Sequence, residues 1–304
     1  MVELLLCRSH FSSSLADRPM LTPNEHQAYT EWGLVKIKAL IPDEVIDPIR
    51  ELAIERLRRR EFWADGGWIP PRNADGQKRL RTTIKEISRN KKSLRSILTD
   101  RVLEYAREFV AGDDIELSAP IAQFLFTAPR SYVMDHDGQW DGKWEVPRSI
   151  WHVDVPRSAA IGPPGPEMFT FLDKVKPKGG GTLVLAGSHR LLNDVDYLSS
   201  KNVKKRLKRH TYFRELTGKG SGDRSRFLEE IGNIDGVPVK VVELTGNPGD
   251  AYFIDLRLLH SLGPNTSDQP RMMIAQRMPR QEAFKTWMAT VGGKGTQVAQ
   301  GGDG

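Results

Sequence analysis

The chain has 304 residues, 45 Lys and Arg against 39 Asp and Glu for a net charge of +6, and 38% hydrophobic residues. This admits one large domain with additions or two small ones, and no run approaches the ~18 uninterrupted apolar residues of a membrane span. The lone cysteine, Cys7, excludes an internal disulfide and a cysteine-based zinc site, so a cytoplasmic location is the expectation.

Residues 1–21 show no periodicity and are expected to be flexible. Thr22-Pro23-Asn24-Glu25 has capping-box spacing with proline at the first helical position, which opens a short helix to about Trp32. Beyond Gly33, Val35, Ile37 and Ala39 alternate with Lys36 and Lys38 as in a half-buried strand. Asp43 starts a second helix with Val45, Ile49, Leu52, Ala53 and Leu57 on one face. Residues 61–77 are rich in Gly, Pro and Trp, including Trp63 and Trp68, and read as a long surface loop suited to a lid. A third helix is predicted over Ser93–Val110, with Gly112 just past its end.

From Ile115 the texture changes to short β-like runs separated by turn residues, at 115–117, 121–127, 150–155, 168–175, 182–186, 237–244, 251–255 and 272–278. About eight strands behind a helical preface predict a mainly β fold with flanking helices, a jelly roll or related double-sheet barrel. The expected organisation is a single domain over 22–290, with a helical preface over 22–112 and a barrel over 113–290, and a disordered tail over 291–304. Two insertions interrupt the barrel. Residues 131–149 form a polar loop bearing Asp135, His136, Asp137, Trp140 and Trp144. Residues 190–236 form a largely helical excursion with seven Lys or Arg and no acid between Lys201 and Arg214.

The chemistry concentrates in Trp151-His152-Val153-Asp154. On a strand, His152 and Asp154 project to one face together. A second apolar run, from Ala251 to Leu259, ends in His260. Two neutral histidines and a carboxylate on one face of an octahedron make the facial triad of non-haem Fe(II) oxygenases, whose opposite face stays open for a chelating cosubstrate and O2. Arg271 follows His260 by eleven positions at the head of the next strand, where its forked guanidinium suits the distal carboxylate of 2-oxoglutarate.

These segments resemble the phytanoyl-CoA dioxygenase family of Fe(II)/2-oxoglutarate oxygenases. The similarity includes residues 26–35 and 40–45, Phe171-Leu172-Asp173, the stretch from Gly179-Gly180-Gly181-Thr182 to Gly187-Ser188-His189, and His260-Ser261 through Gly263-Pro264-Asn265 to Arg271. The resemblance implies a double-stranded β-helix, a cupin-like core, with His152, Asp154 and His260 as iron ligands and Arg271 on the 2-oxoglutarate cosubstrate. It leaves His189 to a structural role. A polar residue on an earlier strand often assists the cosubstrate in this family, and Gln123 and Thr182 are the candidates here. Arg130, Trp140 and Trp144 are candidates for contact with substrate.

The implied reaction is hydroxylation of an unactivated C–H of a small molecule, with conversion of 2-oxoglutarate and O2 to succinate and CO2; desaturation, cyclisation or epoxidation by the same oxidant are alternatives. Retention of Asp154 favours oxygen insertion over halogenation, because related halogenases have a small residue at that position. A metal protein of the cupin type that dispenses with 2-oxoglutarate is a rival within the fold. A non-enzymatic binder of nucleic acid or anionic surfaces, using the basic excursion, is a rival of another class, although no nucleic acid is expected as partner. The basic segment is either a solvated helix face or the border of an active-site mouth that draws in an anionic substrate.

Overall fold

The computed structural model describes residues 20–110, 114–117, 122–129, 144–154, 163–191, 199–218 and 223–298. His136, Arg130 and Trp140 lie outside these residues, as do Cys7 and the segments 1–19 and 299–304. No helix among the described residues is long and apolar enough to cross a membrane.

The N-terminal part is helical. α1 (Pro23–Trp32) begins at the anticipated capping box: the Thr22 hydroxyl accepts from the Glu25 amide at 3.3 Å and the Glu25 carboxylate accepts from the Thr22 amide at 2.7 Å. It ends at Gly33, which has a left-handed φ of 74° and where a Cβ would meet the His189 ring at 2.5 Å. β1 (Leu34–Ile37) and α2 (Asp43–Arg59) follow as expected.

The long loop anticipated over 61–77 is replaced by a hairpin, β2 (Trp63–Ala64) and β3 (Gly67–Trp68), and the start of α3 (Ala74–Ser88). Asp65 and Gly66 both have positive φ, 48° and 75°, as a two-residue hairpin turn requires. α3 is capped by the Asn73 side chain and buries Leu80, Thr83 and Ile87 along one stripe. The helix predicted over Ser93–Val110 is two, α4 (Lys91–Arg95) and α5 (Asp100–Glu108). The break falls where the Thr99 side chain accepts from the Val102 amide and caps a fresh helix.

The remaining elements are β4 (Gln123–Thr127), β5 (Pro166–Phe171), β6 (Leu183–Ala186), α6 (Ser200–Leu207), α7 (Thr211–Thr217), α8 (Arg226–Glu229), β7 (Gly232–Ile234), β8 (Val237–Glu243), β9 (Ala251–Asp255), β10 (His260–Ser261), β11 (Arg271–Arg277) and α9 (Gln281–Val298). α9 carries helix past residue 291, where the sequence led us to expect the pattern to end. Ile115 makes only an isolated bridge to Arg280, and among the described residues 150–154 of the predicted strand at 150–155 the pairing is a bridge between His152 and His260. Ile150, with a φ of 67°, turns the chain just before it.

The strands form two antiparallel sheets, ordered β1-β9-β5-β11-β4 and β10-β6-β8-β7. Alternation along each strand sorts side chains into three clusters. Phe169, Phe171, Val184, Ile254, Met273 and Ala275 meet between the sheets. Met168, Phe253, Met272 and Ile274 face the other way, onto α2, α3 and α5. Leu183, Leu185, Val239 and Val241 pack under α6 and α7 together with Trp151 and Val153. The anticipated barrel is thus a pair of facing sheets of the double-stranded β-helix type, bridged at Val175 to Gly246, Gly179 to Asn265 and His152 to His260.

Candidate metal centre

His152 and His260 exchange both backbone hydrogen bonds, each at 2.9 Å, so their side chains emerge on the same face with ring centroids 4.2 Å apart. Asp154, two residues on, joins them. Ligand atoms of His152, Asp154 and His260 all lie within 4.8 Å of one another. The Asp154 oxygens are 3.8 Å from Nε2 of His152 and 3.7 Å from Nε2 of His260, too far for hydrogen bonds.

The tautomers explain that spacing. Nδ1 of His152 lies 2.8 Å from the Ile150 carbonyl and Nδ1 of His260 lies 3.1 Å from the Leu258 carbonyl. A carbonyl only accepts, so both Nδ1 atoms carry a proton, and the neutral form of each ring presents its lone pair at Nε2. In that form two imidazole lone pairs and a carboxylate converge without a proton between them, a donor set suited to a divalent cation. Burial, with the neighbouring His152 adding to it, holds His260 down at about 4 and hence neutral. The His152 side chain is 42% exposed whereas those of Asp154 and His260 are 9% and 8%, so the centre opens on the His152 side.

Two further residues border the centre that the sequence reading overlooked. Arg277 donates from Nε to Asp154 Oδ2 at 2.9 Å and lies 3.5 Å from Glu167, its cross-strand partner on β5. Burial alone would raise the Asp154 carboxyl, but His260, Glu167 and Arg277 outweigh it and hold the group well below the ordinary carboxylate range. Burial, then the Asp154 charge, pushes Glu167 the opposite way. The two shifts run in opposite directions, favouring the charged form of Asp154 and the neutral form of Glu167. A signal was present: Arg277 is six residues beyond Arg271, hence on the same strand face, and Glu167 is the one acid in an apolar run.

Arg271 begins β11 and is 1% exposed. Its Nε donates to the Gly180 carbonyl at 2.7 Å, while Nη1 and Nη2 have no partner among the described residues. Burial drives the guanidinium down to about 10, with Glu243 opposing. Glu243 itself is raised by burial to about 7, although it accepts from the amides of Lys178 and Gly181 at 2.7 and 3.2 Å. Directly across from Arg271 on β4 is Thr127, whose buried hydroxyl is also unpartnered among the described residues. A forked cation and a hydroxyl with empty hydrogen-bonding capacity make a cradle for a carboxylate.

Gln123 shares that strand face with Thr127 but lies across from Ala275 at the exposed end of β4. Thr182 is 3% exposed just before β6, and its carbonyl accepts from the Leu244 amide. Trp144 is not an open rim residue. It is 9% exposed, its indole donates to the Pro264 carbonyl at 3.0 Å, and it packs in the cluster with Trp151. His189 sits away from the triad with Nε2 3.1 Å from the Thr30 carbonyl, and Ser188 before it accepts from the Leu259 amide next to His260. The basic excursion reaches the centre at its first helical residue, where Ser200 touches Val153.

The phytanoyl-CoA dioxygenase (PhyH) family model matches residues 29–273. None of the curated proteins compared with the chain matches it. Among solved structures, the epimerase SnoN in complex with Fe3+, alpha ketoglutarate and nogalamycin RO is 15% identical, with 83% of this chain and 80% of that chain covered and a TM-score of 0.44. HygX from Streptomyces hygroscopicus, with nickel and 2-oxoglutarate bound, is 14% identical over 84% of this chain and 86% of that one, with a TM-score of 0.46. The apoform of EctD from S. alaskensis is 17% identical over 85% and 76% respectively, with a TM-score of 0.47. These structural likenesses are distant; the family model, in contrast, spans well over half of the chain, which belongs to the phytanoyl-CoA dioxygenase family.

Proposed function

We propose that this protein is an Fe(II)/2-oxoglutarate-dependent oxygenase that hydroxylates an unactivated C–H of a small molecule. The observation that carries the reading is the convergence of two Nε2 atoms and a carboxylate within 4.8 Å of one another, together with a buried arginine whose two Nη atoms have no partner among the described residues. His152, Asp154 and His260 would hold the metal, and Arg271 with Thr127 the distal carboxylate of 2-oxoglutarate. Fe(II), 2-oxoglutarate and O2 together supply an oxidant strong enough for such a C–H, with succinate and CO2 as coproducts.

The protein's part is orientation and exclusion of water. The Ile150 and Leu258 carbonyls fix the protons of the two imidazoles on Nδ1, which keeps Nε2 available throughout. Arg277 restrains Asp154 Oδ2, the oxygen 3.7 Å from His260 Nε2, while Oδ1 faces His152 Nε2 at 3.8 Å. Phe169, whose ring stands edge-on to His260 at 6.3 Å, and Phe171 and Met273 behind it provide a dry wall between the sheets. Arg271, anchored on Gly180, sets the depth to which a dicarboxylate enters.

Succinate release tests this reading. It should require both added Fe(II) and 2-oxoglutarate, and vanish in the H152A/D154A double variant. Succinate formed by that variant at the wild-type rate would sink the proposal. Incorporation of one 18O atom from 18O2 into the organic product separates hydroxylation from desaturation or cyclisation.

A further inference from the structure

The segment between the two first ligands is held from both edges. On one edge, the His152 backbone pairs with His260 of β10. On the other, a side chain stands where a neighbouring strand would be: the Val153 amide donates to Ser200 Oγ at 3.2 Å and the Ser200 hydroxyl donates to the Val153 carbonyl at 3.0 Å. One hydroxyl thereby satisfies both polar groups of the residue that separates His152 from Asp154. Ser200 is well placed for this, because it opens α6, whose own N-cap is the preceding Ser199. The helix is pressed onto the same strand by Val203 and Leu207, each 1% exposed and clustered with Trp151 and Val153.

We propose that Ser200 is a positioning residue for the metal centre. By pinning the Val153 peptide it sets the backbone pitch between His152 and Asp154, and so the distance at which imidazole and carboxylate meet a metal. This rests on the metal reading above. It also gives the basic excursion a function independent of its charge: α6 is the outer brace of the ligand strand.

The test is Co(II) titration of the metal-free protein against a competing chelator, read from the visible absorption of the bound ion, alongside thermal unfolding of the same metal-free samples. S200A should lower Co(II) affinity about tenfold and alter the absorption, and S200T, which keeps the hydroxyl, should restore both. Should S200A not fold, S200C, with a weaker hydrogen-bonding group of similar size, should give the same effect in smaller degree. A serine that merely stabilises the fold would lower the unfolding temperature and leave Co(II) affinity and spectrum unchanged; that result overturns the proposal. Wild-type protein that binds no Co(II) overturns the metal reading and this proposal together, whereas normal wild-type binding with an unaffected S200A or S200C overturns this proposal alone.

Discussion

Arg271→Met should move stability and cosubstrate binding in opposite directions. Burial takes the guanidinium from 12.5 down to about 10, which corresponds to on the order of 3 kcal/mol for keeping it charged in the folded protein at pH 7. That value already includes the opposing pull of Glu243, and among the described residues the remaining offset is the bond from Nε to the Gly180 carbonyl, worth about 1–2 kcal/mol. Methionine fills much of the same volume without the charge, so metal-free R271M should be more stable than wild type by on the order of 1–2 kcal/mol. The same change removes two charge-assisted hydrogen bonds to a bound carboxylate at about 1.5–3 kcal/mol each, which weakens 2-oxoglutarate binding at least ~100-fold. Urea unfolding of the metal-free proteins measures the first effect, and calorimetric titration of 2-oxoglutarate into the Mn(II)-loaded proteins measures the second. A variant that is less stable than wild type, or that binds 2-oxoglutarate within about fivefold of it, refutes the view that Arg271 is an unpartnered charge kept for a carboxylate.

Three smaller perturbations probe the surroundings. T127V, nearly isosteric, should raise KM for 2-oxoglutarate about tenfold or more with kcat unchanged, as loss of one hydrogen bond to a carboxylate predicts; an unchanged KM removes Thr127 from the cradle. Glu243 is raised from 4.5 to about 7, so the folded protein holds more protons than the unfolded chain in that window and its stability falls as pH rises through it. E243Q should abolish this slope and exceed wild type by on the order of 1–3 kcal/mol at pH 8 while matching it near pH 4; urea denaturation with the same pH slope in both proteins contradicts it. At Gly181 an added Cβ would stand 2.2 Å from the Leu244 carbonyl. G181A should therefore cost about 1–3 kcal/mol, visible as an earlier unfolding midpoint.

The meeting of His152, Asp154 and His260 could be anticipated from local patterns: the two-residue alternation at His152 and Asp154, and a histidine closing an apolar run. The capping box at Thr22 and the apolar run of β9 were legible for the same reason. What escaped were features that depend on a partner elsewhere. Glu167 and Arg277 meet only because β5 pairs with β11, and Thr127 outranks Gln123 only because register puts it opposite Arg271. The hairpin at Asp65-Gly66 and the helix start at Thr99 were signalled locally, but proline and glycine nearby, and an apolar stripe running through, masked them. The strand expected at 150–155 falls short because Ile150 takes a left-handed φ that alternation of residue types does not reveal.

The helical excursion leaves from β6 and returns in β8 at residues that face each other, Ala186 opposite Lys240. A detour whose two ends are cross-strand neighbours is a cassette: the sheet closes beneath it whatever its length, and doubling a loop costs only about 0.6 kcal/mol of closure entropy. Its content can therefore drift in evolution, or be exchanged in the laboratory, far more freely than its position near the reaction centre would suggest. The frame asks of any replacement an apolar face to cover Leu183, Leu185, Val239 and Val241, and a hydroxyl at the edge of the segment that carries His152 and Asp154.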